Sequence, residues 1–90
     1  MVNKTVRDEI IKAITNEDTS KFENRGDTWC KYESGNGWTI WKRRGKSAHT
    51  FFLNSGRYQV GSIEHAQTLD GDLCISLKYC DVKVILKADK

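Results

Sequence analysis

The sequence predicts a small α+β protein in which an N-terminal helix packs on an antiparallel sheet of about five or six strands. Three observations predict this class. An early segment carries apolar residues at helical spacing, the later segments alternate apolar and polar residues, and Gly-, Asn-, Asp- and Ser-rich turns separate them. With 90 residues, 38% hydrophobic and 30% charged, the chain is expected to form one globular domain, residues 1–90.

The helix is predicted over about residues 5–15. Its apolar residues recur at helical spacing and form one stripe: Val6, Ile10, Ala13 and Ile14. Thr5 and Asp8 resemble a capping box at the start of the helix, and Asn16 is the expected stop. The polar residues 16–27 are predicted to be a loop in which Phe22 turns inward.

An antiparallel meander is predicted over about residues 28–60. Its strands are expected at 28–33, 38–44, 48–53 and 57–60, with turns at 34–37, 45–47 and 54–56. The next segment, 62–69, fits two structures. It is either a short helix capped by Ser62 or an extension of the preceding strand.

Two C-terminal strands are predicted at about 73–79 and 82–87, after a turn at 70–72. In the first, alternation places four residues on one face: Leu73, Ile75, Leu77 and Tyr79. In the second, the apolar positions are Val82, Val84 and Leu86. Because the two series differ in parity, a bulge or tight turn is expected near Cys80 and Asp81.

Composition excludes several classes of protein. No apolar run approaches the roughly 18 residues of a membrane span, and the N-terminal segment lacks a secretory apolar region, so we expect a cytoplasmic protein with no membrane contact. An odd number of cysteines (Cys30, Cys74 and Cys80) argues against a disulfide framework and favours free, half-buried thiols.

A zinc site would need Cys74, Cys80 and either His49 or His65. Five residues separate the two cysteines, which is wider than the usual pairs of structural zinc ligands, so we expect no metal and no cofactor. His49 and His65 are also the candidate general bases, with Glu64, Asp70 or Asp72 as partners. No catalytic fingerprint accompanies them, and a short chain leaves little room for a walled pocket, so we expect no enzyme.

The positive charge is concentrated in one segment. Residues 1–36 contain six cations and seven acids, and residues 64–90 contain four cations and five acids. Residues 37–63 contain no acid and five cations: Lys42, Arg43, Arg44, Lys46 and Arg57. The net charge of +3 therefore comes entirely from this central segment.

Aromatic residues lie among these cations. Strand alternation places Trp38, Ile40 and Lys42 on one face of the second meander strand, and Thr39, Trp41 and Arg43 on the other. Cations beside an aromatic ring suit nucleic acid, because the cations neutralise phosphates and the ring stacks on a base. The candidate binding residues are Trp38, Trp41, Lys42, Arg43, Arg44, Lys46 and Arg57.

Several hypotheses remain open on the sequence alone. The first is a nucleic-acid-binding protein, with DNA and RNA not distinguished. The second is a small inhibitor or adaptor, of the kind that phages and other mobile elements encode, which binds an acidic surface of a host protein through the same residues. The third is a homodimer formed through an exposed edge strand. A solvated basic face that only prevents aggregation would carry similar charge.

Overall fold

A computed structural model describes residues 2–24, 29–33, 37–43 and 51–89. Within these ranges, one helix and seven strands follow one another in sequence. The helix α1 spans Lys4–Asn16. The strands are β1 (Glu23–Asn24), β2 (Trp29–Glu33), β3 (Trp38–Arg43), β4 (Phe51–Ser55), β5 (Tyr58–Leu69), β6 (Asp72–Leu77) and β7 (Lys83–Leu86). Each strand pairs antiparallel with its neighbour in sequence, which confirms the predicted α+β class.

Asn3, rather than Thr5, caps the start of α1. The Asn3 Oδ1 accepts hydrogen bonds from the backbone N–H groups of Thr5 (2.7 Å) and Val6 (3.4 Å), which would otherwise lack a partner in the first turn. The helix ends at Asn16, and Glu17 takes the left-handed conformation (φ 56°) while its N–H donates to the Ala13 carbonyl.

One face of the sheet and the apolar side of α1 enclose the core. Ile10, Ala13 and Ile14 are the buried residues of α1, and the helix packs against β5 and β6. The core residues of the sheet lie at alternate positions of β4 and β6, and those of all strands include Ile40, Phe51, Leu53, Ile63, Ile75, Leu77 and Leu86. We call this helix-covered side the inner face and the opposite side the outer face.

Two bulges bend β5 around the helix. Leu53 pairs with Gly61 but Asn54 pairs with Gln59, which leaves Val60 as an extra residue. Further along, Ile63 pairs with Leu77 but His65 pairs with Ser76, which leaves Glu64 as an extra residue. Since each bulge adds a local bend and twist, a strand of 12 residues can curve around α1.

The long strand β5 resolves the ambiguous segment 62–69, which is strand and not helix. β5 passes into β6 through a two-residue turn at Asp70 (φ 52°) and Gly71 (φ 85°). Two consecutive positive φ angles define a type I′ turn, whose twist suits a hairpin and which Asp-Gly sequences favour.

Three details of the C-terminal and loop predictions are wrong. β6 ends at Leu77, so Tyr79 lies in the following turn with a positive φ of 61° and is fully exposed instead of facing the core. Val82 precedes β7 and is also exposed. In the segment predicted to be a loop, Glu23–Asn24 pairs with Lys31 and Cys30 as the short strand β1.

Phe22 joins the inner face just before β1. Its ring centroid lies 5.6 Å from that of Tyr32 and 5.9 Å from that of Phe51. Residues 34–36 of the predicted turn 34–37, the predicted turn 45–47 and the first three residues of the predicted strand 48–53 lie outside the described residues. Within the described ranges, no helix combines the length and the apolar character that crossing a bilayer requires.

Candidate functional site

The sequence-predicted binding residues lie on both faces of the sheet. Trp38 and Lys42 share the inner face with Ile40, and Trp38 is half-buried against the core cluster. Trp38 therefore contributes to the inner-face packing. Trp41 and Arg43 lie on the outer face, which α1 does not cover. Arg44 and Lys46 lie outside the part of the chain that the structure describes.

Trp41 forms a cross-strand pair with Phe52 on the outer face. Both side chains are half-buried and both lie outside the hydrophobic core cluster. Their inner-face neighbours Ile40 and Leu53 also pair across β3 and β4, and each is 0% exposed. The same two strands therefore supply the core on one side and an aromatic pair on the other.

An open depression of about 300 Å³ lies on this outer face, lined by Trp41, Phe52, Asn54 and Gln59. We call it the outer-face depression. Three of the four described residues that line it (Phe52, Asn54 and Gln59) were not among the sequence-predicted site residues. Alternation identifies Phe52 as opposite in direction to Phe51, but only the pairing register brings Phe52 next to Trp41.

The bulge at Val60 positions Gln59 in the outer-face depression. Because of that extra residue, Asn54 pairs with Gln59, and both side chains extend from the outer face. In an unbroken register, Asn54 would pair with Val60, which instead packs against the core. The bulge therefore places two amide side chains beside the aromatic pair, as bulges often re-aim side chains at binding sites.

The indole of Trp41 is held by polar neighbours. Its Nε1–H donates to Thr39 Oγ1 at 3.1 Å, and Thr39 is only 8% exposed. With the Asn54 amide oriented so that its oxygen faces the indole, that oxygen lies 3.3 Å from Trp41 Nε1 and the amide nitrogen donates to the Leu53 carbonyl at 3.1 Å. These contacts orient the ring before any ligand binds.

Two exposed arginines flank the depression along the strands. Arg43 follows Trp41 by two residues on the outer face, and Arg57 lies in the β4–β5 turn at the opposite end of the β3–β4 hairpin. Gly56, the first residue of that turn, has φ 60° and its N–H donates to the Gly37 carbonyl at 2.9 Å, which fixes the turn beside the start of β3.

Neither arginine forms an ion pair with a described residue. The ion pairs found in those ranges lie elsewhere, between Arg7 and Asp8 and between Lys87 and Asp72. No acid occurs in residues 37–63, so the outer surface of β3, β4 and the first half of β5 carries only positive formal charge. Such a surface attracts anions at a range set by ionic strength.

The described histidine and cysteine residues that were candidates for catalysis or zinc binding do not come together in the structure. His65 Nε2 lies 3.3 Å from Ser76 Oγ, Cys74 is fully buried in β6, and Cys80 is exposed in the β6–β7 connection. Among the described residues, no three His, Cys, Asp or Glu side chains come together in a way that could hold a metal ion. His49 lies outside those residues.

The two edges of the sheet are short. β1 has two residues, and β7 has four, of which Lys83 is exposed. Val2 forms a parallel bridge with Ala88 just after β7: its N–H donates to the Lys87 carbonyl at 2.7 Å and its carbonyl accepts from Asp89 N–H at 2.8 Å. Short edges and edge lysines both discourage sheet-to-sheet association. Dimerisation through an edge stays a prediction.

In comparisons with known proteins, no family model matches the chain, and no curated protein or solved structure shows significant similarity to it.

Proposed function

We propose that this protein is a small, non-enzymatic, cytoplasmic protein that binds nucleic acid through the outer face of β3, β4 and the adjoining part of β5. One observation supports the proposal above the others. The oriented, half-exposed Trp41–Phe52 pair lies on a sheet face that the helix leaves open, beside Arg43 and in a segment without acids. Open sheet faces that combine aromatic rings with arginines are a recurrent way to bind nucleic acid.

The arginines would bind the phosphate backbone. A guanidinium presents several N–H donors in a planar fork that matches phosphate oxygens, and each neutralised phosphate releases counterions. Arg43 is the last residue of β3, and Arg57 lies in the turn after Ser55, the partner of Trp38 at the start of β3, so the aromatic pair lies between the levels of the two arginines. A nucleic-acid backbone passing over the depression would therefore meet a cation on each side of it. Half-buried Lys42, on the inner face beside Phe51, is a weaker candidate.

An acidic protein surface would meet the same cations, so charge alone does not distinguish the two partners. The aromatic pair favours nucleic acid because Trp41 and Phe52 are neighbours on an open sheet face and present rings beside amide groups. Protein interface anchors more often insert into a complementary pocket on the partner. The acidic protein partner is thus the outcome that remains if oligonucleotides do not bind.

The proposal is tested with a charge-matched pair of double variants. Arg43→Ala with Arg57→Ala removes two cations from the proposed surface, whereas Lys12→Ala with Lys83→Ala removes two exposed cations from α1 and β7. Oligonucleotide affinity is measured by fluorescence anisotropy at several salt concentrations. We expect the arginine variant to bind more weakly and its log–log salt slope to be smaller in magnitude by about 1.5 to 2.

The lysine variant should keep the wild-type slope to within about half a unit, because its cations lie away from the proposed path. Equal losses in the two double variants would mean that only net charge matters and would contradict a specific surface. An absence of binding by the wild-type protein at low salt, where phosphate contacts are strongest, would refute the proposal altogether.

A further inference from the structure

We infer that the outer-face depression receives one unpaired nucleobase, so that the nucleic acid bound there is single-stranded. The inference rests on the proposed function and names the substrate class of the same surface. It follows from which side chains line the depression, how the indole is held, and how large the depression is.

The lining combines the two kinds of contact that a nucleobase needs. Trp41 and Phe52 provide aromatic surface, and Asn54 and Gln59 provide amide groups at the same depression. A nucleobase has two π-faces and a polar edge, and proteins bind unpaired bases by stacking on the face and hydrogen bonding to the edge. Of the two amides, Gln59 is exposed and forms no hydrogen bond with another described residue, so its donors and acceptor can reach that edge.

The indole is already oriented for stacking. The hydrogen bond from Trp41 Nε1 to Thr39 Oγ1 satisfies the one polar group of the ring, so binding a base need not break or replace that contact. A ring that is fixed before binding loses little conformational entropy when the ligand arrives. This geometry distinguishes Trp41 from a surface tryptophan that is free to rotate.

The size and openness of the depression favour a single base over a duplex. A volume of about 300 Å³ is at the lower end of small-ligand sites, which run from roughly 300 to 1,000 Å³. In a duplex, each base is paired and stacked on both faces, so its ring cannot reach a depression on a sheet without being unpaired. A single strand presents its bases directly.

Three oligonucleotides of equal strand length test the inference with the wild-type protein, and the two single-stranded ones carry the same phosphate charge. The first is a mixed-sequence single strand, the second is the same backbone with every base removed, and the third is the single strand annealed to its complement. Each is made as DNA and as RNA where the chemistry allows. We expect the intact single strand to bind about tenfold more tightly than the abasic strand and more tightly than the duplex.

Variants locate the effect at the depression. Trp41→Ala should lower the affinity for the intact strand by about tenfold and leave the abasic strand unchanged, while Trp41→Phe should retain most of the affinity because a phenyl ring still stacks. Gln59→Ala should reduce the differences in affinity among single strands that each contain one kind of base. The matched control Gln67→Ala, which alters a residue also exposed on β5 but outside the depression, should leave those differences unchanged.

The outcomes separate this inference from the proposed function. Suppose that the intact and abasic strands bind equally, while the double variant Arg43→Ala with Arg57→Ala still has a log–log salt slope of smaller magnitude. The protein then binds phosphates, but the depression binds no base. If the duplex binds as tightly as the single strand, the inference is equally wrong. If none of the three oligonucleotides binds at low salt, the proposed function is wrong as well. The comparison among oligonucleotides needs no variant, so a failure of Trp41→Ala to fold does not affect it.

Discussion

The β3–β4 hairpin and β6 belong to one sheet, but the residues that they place on its outer face differ in size and exposure. On β3 and β4 the outer face holds the large residues Trp41 and Phe52, and these stay half-exposed. On β6 it holds the small residues Cys74 and Ser76, and these are 0% and 6% exposed. The outer face therefore exposes aromatic rings at β3 and β4, whereas its residues on β6 are buried.

Neighbouring strands explain why the small residues are buried. Cys74 pairs with Gln67 on β5 and with Ile85 on β7, and these longer side chains flank it on both sides. Ser76 is flanked in the same way, with His65 3.3 Å away. Trp41 and Phe52 are large residues that remain half-exposed, whereas the small outer-face residues of β6 are covered by their neighbours. We therefore expect the inner face to determine stability, and we propose the β3–β4 outer face as the binding surface.

The largest test of this assignment uses adjacent residues of β4. Leu53 is fully buried on the inner face, and Phe52 is half-buried on the outer face. We expect Leu53→Ala to lower the free energy of unfolding by about 2–5 kcal/mol, because it leaves a cavity in the core. Phe52→Ala should cost less than about 1.5 kcal/mol, since its ring keeps substantial contact with water in the folded protein. Urea denaturation followed by circular dichroism measures both.

Oligonucleotide binding should show the opposite order. Phe52→Ala should weaken binding, whereas Leu53→Ala, measured where it is still folded, should not. If Phe52→Ala proved as destabilising as Leu53→Ala, the outer face would be part of the packed structure and the division between the two faces would be wrong.

A second, smaller effect on the free energy of unfolding is expected from the hydrogen bond between β2 and α1. The Tyr32 hydroxyl donates to Glu9 Oε2 at 2.7 Å, and the ring contacts Phe22 on the inner face. Burial, the hydrogen bond to Glu9 and the negative charge of Glu9 together raise the pKa of Tyr32 well above its ordinary value of 10. We expect Tyr32→Phe to lower the free energy of unfolding by about 1–2 kcal/mol at neutral pH.

The pH dependence of this loss has a definite sign. Because the folded-state pKa is raised, the contribution of Tyr32 is fully present below pH 10 and declines as the pH rises above 10, where the unfolded tyrosine ionises first. The difference in stability between wild type and Tyr32→Phe should therefore shrink between neutral pH and pH 11. A constant difference across this range would contradict the assignment.

Local patterns in the sequence predicted the elements better than their ends. The spacing of Val6, Ile10, Ala13 and Ile14 predicted the helix, but the capping-box spacing of Thr5 and Asp8 indicated the wrong cap. Spacing alone does not show which side-chain oxygen reaches the free N–H groups of the first turn, and in the structure that oxygen belongs to Asn3. Residues 62–69 stayed ambiguous because the bulge at Glu64 interrupts the period of two that identifies a strand.

The site shows the same limit. Alternation along β3 was sufficient to separate Trp41 from Trp38. Alternation could not predict that Phe52, Asn54 and Gln59 lie beside Trp41. Their positions depend on the register of β3 with β4 and on the bulge at Val60. Register is set by pairing between strands, and a single strand's pattern does not contain it.

The smallest expected effect concerns the helix cap. Asn3→Ala removes the acceptor for the Thr5 and Val6 N–H groups and should lower the free energy of unfolding by about 1 kcal/mol, while Asn3→Ser, which keeps a capping oxygen, should cost much less. Because α1 packs on β5 and β6 from the inner face, neither variant should change oligonucleotide affinity or salt slope. Urea denaturation and anisotropy on the same samples check both expectations. If Asn3→Ala left stability unchanged but weakened binding, recognition would extend to the helix, and the outer face could no longer be treated as a surface that works independently of the fold beneath it.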